Sequence, residues 1–246
     1  MTTPPPTFFH VVDEFPGWGK ARNWIVDIIQ RNGCKDILEV GSGANPTLSP
    51  EQVSQLGLRY TTNDVSSEEL KKADPVFERW EADVSAPVIP GGYQGRFDLV
   101  FSRMVNEHVS DGERYHANIC ALLKPNGISA HCFSTLYTLP FVVNWIAPGA
   151  LSKLLLQIAC PREDEEKHGK FRAHYSWSRG PSQRMIRRFE SLGYSVIEYH
   201  GYFGHTYYRR WSPLLDRIES LKSRTLLSHP AAVLCSYAMI VLRKRP

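Results

Sequence analysis

From Asp36 to Thr135 short apolar runs alternate with segments that open on helix-capping residues, a rhythm few folds satisfy. The run Asp36 to Val40 (DILEV) is short and apolar enough for the middle of a parallel sheet. Ser49-Pro50-Glu51-Gln52 then combines an N-cap serine, a proline at the first helical position and a capping-box glutamine. LRYTTNDV (58–65) reads as another strand, and Ser66-Ser67-Glu68-Glu69 as a second capping box, opening a helix through Ala73. FDLVFS (97–102) is a strand, Ser110 with Glu113 caps a helix running to Leu123, and Lys124-Pro125-Asn126-Gly127 turns the chain into ISAHCFST. Upstream, Ala21, Trp24, Ile25, Ile28 and Ile29 recur at helical spacing ahead of a stop at Gly33. Downstream come a helix from Pro181 to Leu192, stopped by Gly193, the strand YSVIEYH, and a final strand in VLCSYAMIVLRK. This order predicts a doubly wound α/β sheet with its ligands at the strand C-termini.

The rhythm breaks twice. Residues 136–178 carry an apolar stretch with Pro140 and Pro148, a helix-like ALSKLLLQIA and the charged REDEEKHGKFR; residues 201–230 form a long aromatic and basic connection. Both are expected to be acceptor-side insertions on a single domain of 1–246, with 1–19 as an N-terminal extension. The break coincides with a charge split: residues 1–135 carry 12 basic against 17 acidic side chains, residues 136–246 carry 17 against 8. The second half is therefore the side expected to meet an anion. From Cys132 to Ser152 no residue is charged, but two prolines, Asn144 and an opening strand argue against a membrane span. Five scattered cysteines without a C-x-x-C pair read as core thiols in a reducing compartment. With no signal-peptide pattern after Pro4, Pro5 and Pro6, a cytoplasmic protein is expected, with peripheral contact at the inner membrane as a further expectation for the 136–178 segment.

The turn after the first strand, ILEVGSGANP (37–46), defines the ligand. A dinucleotide site uses G-x-G-x-x-G to set a pyrophosphate on the N–H groups of a helix start. Here Pro46 stands at the third glycine's place and donates no N–H, and the capped helix begins only around Pro50. What remains is an acidic residue, Glu39, two before Gly41, a close backbone approach at Gly43, and Asp64 at the end of the next strand. A ligand with ammonium and sulfonium charges, a ribose and no phosphate fits that set.

ILEVGSG, YTTNDVSSEEL, WEADVSAPVIP, RFDLVFSRMVNEHV and ALLKPNGISAHCFST, in this order and spacing, resemble the class I S-adenosylmethionine-dependent methyltransferases, in particular the type 11 and type 23 small-molecule group. The resemblance covers residues 20–135 and, more loosely, 181–199 and 232–243. It implies a Rossmann-like, doubly wound seven-stranded sheet with the last strand antiparallel and an insertion or lid after strand five. It also implies that Gly41, Ser42 and Gly43 let the methionine part of S-adenosylmethionine lie against backbone, with Glu39 acting indirectly near its amino group. Asp64, with Val65 beside it, would accept the ribose hydroxyls; Asp83 would accept the adenine amino group with Val84 beside the ring; Ser102 and Arg103 would line the cofactor floor. The departure from the family pattern is Asn45, where many members carry a third glycine.

Methyl transfer to a hydroxyl needs alignment and a base. His108, just past the strand FDLVFS, is the best-placed imidazole; His131, within a strand, reads as core, and His174 and Tyr175 are weaker candidates. Some quinone-precursor O-methyltransferases carry E-x-x-E-H in this segment, associated with a divalent metal. Here the first glutamate is absent and only Glu107 and His108 remain, so no metal is expected. The aromatic and basic segments suggest a small-molecule acceptor with an apolar or sugar face and a phosphate or carboxylate, a hydroxyl on a sugar, a lipid-linked molecule or a natural product. Two other classes share part of the pattern. A nucleic-acid methyltransferase would use Arg179, Arg184, Arg187, Arg188, Arg209 and Arg210 with Tyr202, Phe203, Tyr207, Tyr208 and Trp211 as stacking platforms; the strand end SRMVNEH lacks the (N/D)-P-P-(Y/F) signature of that class. A non-catalytic partner protein would bind the cofactor without transferring methyl.

Overall fold

The computed structural model describes residues 7–12, 14–89, 92–136, 172–205, 208–209 and 212–246. Eight strands form one sheet: β1 (Thr7–Val11), β2 (Asp36–Val40), β3 (Arg59–Asp64), β4 (Glu78–Glu81), β5 (Phe97–Arg103), β6 (Leu123–Ser134), β7 (Tyr194–Phe203) and β8 (Tyr237–Lys244), in the order β1-β7-β8-β6-β5-β2-β3-β4. All neighbours pair in parallel except β8, which is antiparallel to both β6 and β7. The helices are α1 (Pro16–Gly19), α2 (Ala21–Asn32), α3 (Pro50–Gln55), α4 (Ser67–Lys72), α5 (Gly112–Leu122), α6 (Gln183–Ser191) and α7 (Pro213–Ser228).

The apolar spacing upstream of the first parallel strand does what its period requires. Helix α2 turns Ile25, Ile28 and Ile29 onto Ile37, Leu99 and Phe101 on one face of the sheet. It ends where Gly33 takes the left-handed conformation, φ 64°, and the Cys34 N–H reaches back 3.0 Å to the Ile29 carbonyl. On the other face Ile119 and Leu122 of α5 and Met185, Ile186 and Phe189 of α6 pack against Leu38, Val100 and Leu242. Strand β2 lies between both layers with all five residues buried. Fully buried aliphatic side chains of this kind stabilise by about 1.5–3 kcal/mol each, so the central strands anchor the rim above them.

Several local expectations change in the structure. The Ser49 capping box forms in both directions, whereas Ser66 caps through the Glu69 N–H and the Glu69 carboxylate pairs with Lys72. The cap of α5 is Asp111, accepting from the Arg114 N–H, not Ser110. Lys124 to Gly127 do not form a turn ahead of a strand: they are an irregularity inside β6, where Phe97 faces Leu123 and Leu99 faces Ile128, with Asn126 at φ 63°. The N-terminal extension supplies β1, which stacks Phe9 on Phe203 and His10 on His200 against β7. The 201–230 stretch holds the end of β7 and the 16-residue helix α7.

Of the insertion expected at 136–178, residues 137–171 lie outside the described residues, and with them Cys160, Arg162, Lys167 and Lys170. Tyr207, Arg210 and Trp211 also fall outside. Among the described cysteines, burial pushes the Cys34 thiol up to about 11 and those of Cys132 and Cys235 to about 12, as core thiols require. No described helix is long and apolar enough to cross a membrane.

Candidate cofactor and active site

The site lies where β2, β3 and β5 end. After Val40 the chain turns on two glycines in the left-handed region, Gly41 at φ 68° and Gly43 at φ 51°. The Ser42 N–H donates to the Asn63 carbonyl (3.0 Å), tying the turn to the end of β3, and the Asn45 N–H donates to the Ser42 carbonyl (3.0 Å). A Cβ on Gly43 would sit 3.1 Å from Asp64 Oδ2, and one on Gly41 would sit 2.5 Å from Val105 Cγ2. The turn is thus pressed between the Asp64 carboxylate and the loop that follows β5. These absent side chains leave a cradle in which backbone can approach a ligand closely.

Glu39 is engaged by the loop that follows the turn. Its fully buried carboxylate accepts from the Thr47 N–H (2.8 Å) and hydroxyl (2.5 Å) and from the Tyr60 hydroxyl (2.5 Å). Burial holds its pKa above the usual range, opposed by those hydrogen bonds and by the charge of Arg103. With the Ser42, Asn45 and Thr47 N–H groups engaged inside the loop and none on Pro46, these positions of the turn leave no N–H for a phosphate.

Asp64 Oδ1 accepts from the Ser66 N–H (3.0 Å), which fixes the carboxylate over the turn. The Ala82 N–H donates to the Asp64 carbonyl (3.2 Å), so Asp83 follows directly beside it, exposed and accepting from the Ser85 N–H and hydroxyl at 2.7 Å each. Val65 is exposed; Val84 is buried in the core beneath the rim. Gly41, Ser42, Gly43, Asp64 and Asp83 are therefore brought to one edge.

The last residues of β5 diverge. Ser102 is completely buried, donating to Asn106 Oδ1 (2.9 Å) and lying 2.7 Å from Nδ1 of His131, which itself contacts the Ser129 hydroxyl. Burial pushes both imidazoles of this layer down, that of His116 to about 3, so they are neutral core groups. Arg103 instead faces a cleft of about 680 Å³ between Trp18–Asn23 and Ala44–Pro50. The N-terminal wall of that cleft was not read from the sequence; Trp18 flanked by Gly17 and Gly19 after Pro16 was its one visible signal.

After β5, Met104 takes φ 56° and the chain makes a single turn of 3-10 helix, Asn106–His108. Glu107 is buried with Oε1 accepting from the Ser134 hydroxyl (2.9 Å), and burial raises its pKa. Its carbonyl accepts from the His174 N–H (2.7 Å) and the Tyr175 N–H (2.9 Å), which draws the end of the insertion onto the rim. His108 is exposed there, with Nδ1 3.3 Å from the Arg172 carbonyl oxygen. A proton on Nδ1 in that contact makes Nε2 the accepting nitrogen. Tyr175 is buried, and so are Tyr202, which packs on Phe15, and Phe203; the latter two do not offer stacking faces. Among the described residues no three ligating side chains cluster for a metal.

A doubly wound sheet with an antiparallel strand inserted next to β6, glycines after its first central strand and a carboxylate at the end of the second defines the class I methyltransferase fold. A family model described as a methyltransferase domain, of type 23, matches residues 10–199. The chain belongs to that family, the S-adenosylmethionine-dependent methyltransferases. No curated protein sequence matches it. Among solved structures it is similar to the MccD protein (TM-score 0.57, 12% identity, 95% of this chain and 100% of that one). It is also similar to phosphoethanolamine N-methyltransferase 2 of Haemonchus contortus in complex with S-adenosyl-L-methionine (0.54, 14%, 91% and 53%) and to the [4+2]-cyclase SpnF (0.51, 14%, 98% and 88%). At such identities the likeness is one of fold, and a cyclase among these structures shows that the acceptor chemistry has to be argued from the site.

Proposed function

We propose that this methyltransferase acts on a hydroxyl of a small-molecule acceptor, a sugar, lipid-linked or natural-product compound bearing a phosphate or carboxylate. The observation that carries the reading is the shared rim: Gly43 against Asp64 on one side and exposed His108 on the other. S-adenosylmethionine, when bound, supplies a methyl group already activated by its sulfonium. Gly41, Ser42 and Gly43 would hold its methionine part, Asp64 beside Val65 its ribose, and Asp83 its adenine, with Val84 packed in the core behind it; Ser102 and Glu39 act from below, one in the buried network and one through the loop. His108 takes the hydroxyl proton at Nε2, the step that distinguishes an oxygen acceptor from a neutral amine. Arg103, which faces the cleft beside the glycine turn, would line the floor of the cofactor site.

The test is a methyl-transfer screen with methyl-labelled cofactor over sugar nucleotides, lipid-linked sugars, phenols and amines, followed by mapping of the labelled atom. Label on oxygen of an anionic acceptor supports the reading. Label confined to nitrogen, or to nucleic acid, overturns it.

A further inference from the structure

Helix α7 has its polarity reversed. Its inner face is polar: Glu219 and Ser223 are buried, Glu219 accepts from Lys222 Nζ (2.5 Å) and lies 3.7 Å from His205 Nε2, and the Ser223 hydroxyl lies 3.5 Å from the same carboxylate. Its outer face is apolar: Leu214, Ile218 and Leu221 are 66%, 54% and 69% exposed. Spaced i, i+4 and i+7, they make one stripe. Arg217 and Arg224 are exposed along one border of it, and Lys222 flanks the other. The two acidic residues of the helix turn inward, Asp216 toward Arg209 at 3.7 Å and Glu219 toward Lys222. Val233 and Leu234 are exposed in the 3-10 turn that follows the helix.

The position of the helix matters as much as its pattern. It connects the C-terminal end of β7 to the start of β8, and both lie at the edge where β2, β3 and β5 end. The helix is therefore entered and left at the same end of the sheet as Asp64 and His108, and it packs on β1. The inner polar face is already paired, so rotating the helix to hide the leucines would strip Glu219 of its partners at a cost.

We propose that this face is a docking surface for an anionic lipid surface, with Leu214, Ile218 and Leu221 entering the apolar boundary and the exposed Arg217 and Arg224 meeting headgroup charge. An apolar stripe bordered by cations, with its acids withdrawn, is complementary to that partner. It is poorly complementary to a second copy of the chain: an antiparallel pairing of two such stripes sets the Arg217 and Arg224 border against the same border of its mate. The surface goes beyond the acceptor assignment and does not depend on it.

Flotation of the full chain with vesicles of phosphatidylcholine alone, or with phosphatidylglycerol added, tests this at low and high salt. The expected result is flotation with the anionic vesicles at low salt, weakened by salt and reduced about tenfold or more both in Leu214→Ser/Ile218→Ser/Leu221→Ser and in Arg217→Glu/Arg224→Glu. Thermal melts of these exposed-site variants check that they fold. Absence of flotation, equal flotation of the variants, or a concentration-dependent dimer dissolved by the same serine substitutions would each overturn the proposal.

Discussion

The carboxylate of Glu39 accepts both the amide and the hydroxyl hydrogens of Thr47, eight residues further along, and so pins the loop that replaces the usual start of a helix after the glycine turn. Tyr60 closes the same carboxylate from β3. Glu39→Ala leaves buried donors without a partner and is expected to destabilise the fold by about 2–4 kcal/mol, read as a lower urea midpoint at constant slope. The sign of the pH effect follows from burial, which raises this group above its unfolded value. Its contribution is unfavourable to the ionised form, and stability falls as pH rises from the unfolded pKa through the folded one.

Asp36 gives the opposite sign at the other end of the sheet. Arg59, then Lys124 (2.6 Å), hold its carboxyl down to about 2. A carboxylate depressed in this way stabilises above the unfolded value of 3.8 and loses that contribution as pH falls through about 2. Allowing for the exposure of Arg59, about 1–2 kcal/mol is at stake. Asp36→Asn should lower the melting temperature at pH 7 and flatten the loss of stability between pH 4 and pH 2, roughly the window between the two pKa values. A variant that keeps the wild-type acid slope would contradict this.

For His108→Gln the expected outcome is a fall of about a hundredfold or more in the methylation rate on a hydroxyl acceptor, with S-adenosylhomocysteine affinity unchanged. Lysine or arginine at the same place should not restore it. Loss of folding, or an unchanged rate, would remove the base from this residue.

Where the chain's period is strong the fold was legible. Five residues of DILEV, the stop at Gly33 and the capping box at Ser49 all act as their chemistry implies. Helix α7 is hidden from a reading of the sequence although Ser212-Pro213 repeats the Ser49-Pro50 start, because its inward residues are Asp216, Glu219 and Ser223 and its outward ones are leucine and isoleucine. Tertiary context, not local pattern, decides which face is inside. Strand β1 was hidden for a related reason: its aromatic residues acquire meaning only beside His200 and Phe203 of β7, some 190 residues away. In the site, the glycines and Asp64 could be paired from sequence, but the alternating sides of β5, which turn Ser102 into the core and Arg103 into the cleft, depend on strand register.

The central claim, that the Gly43 and Asp64 cradle holds S-adenosylmethionine, is tested most directly by titration calorimetry of the cofactor into the wild-type chain and Asp64→Ala. Binding to the wild type is expected, with a weakening of about 10- to 100-fold in the variant, the loss of charge-assisted hydrogen bonds of roughly 1.5–3 kcal/mol. Equal affinity in the two proteins, or no binding to a folded wild type, would contradict it.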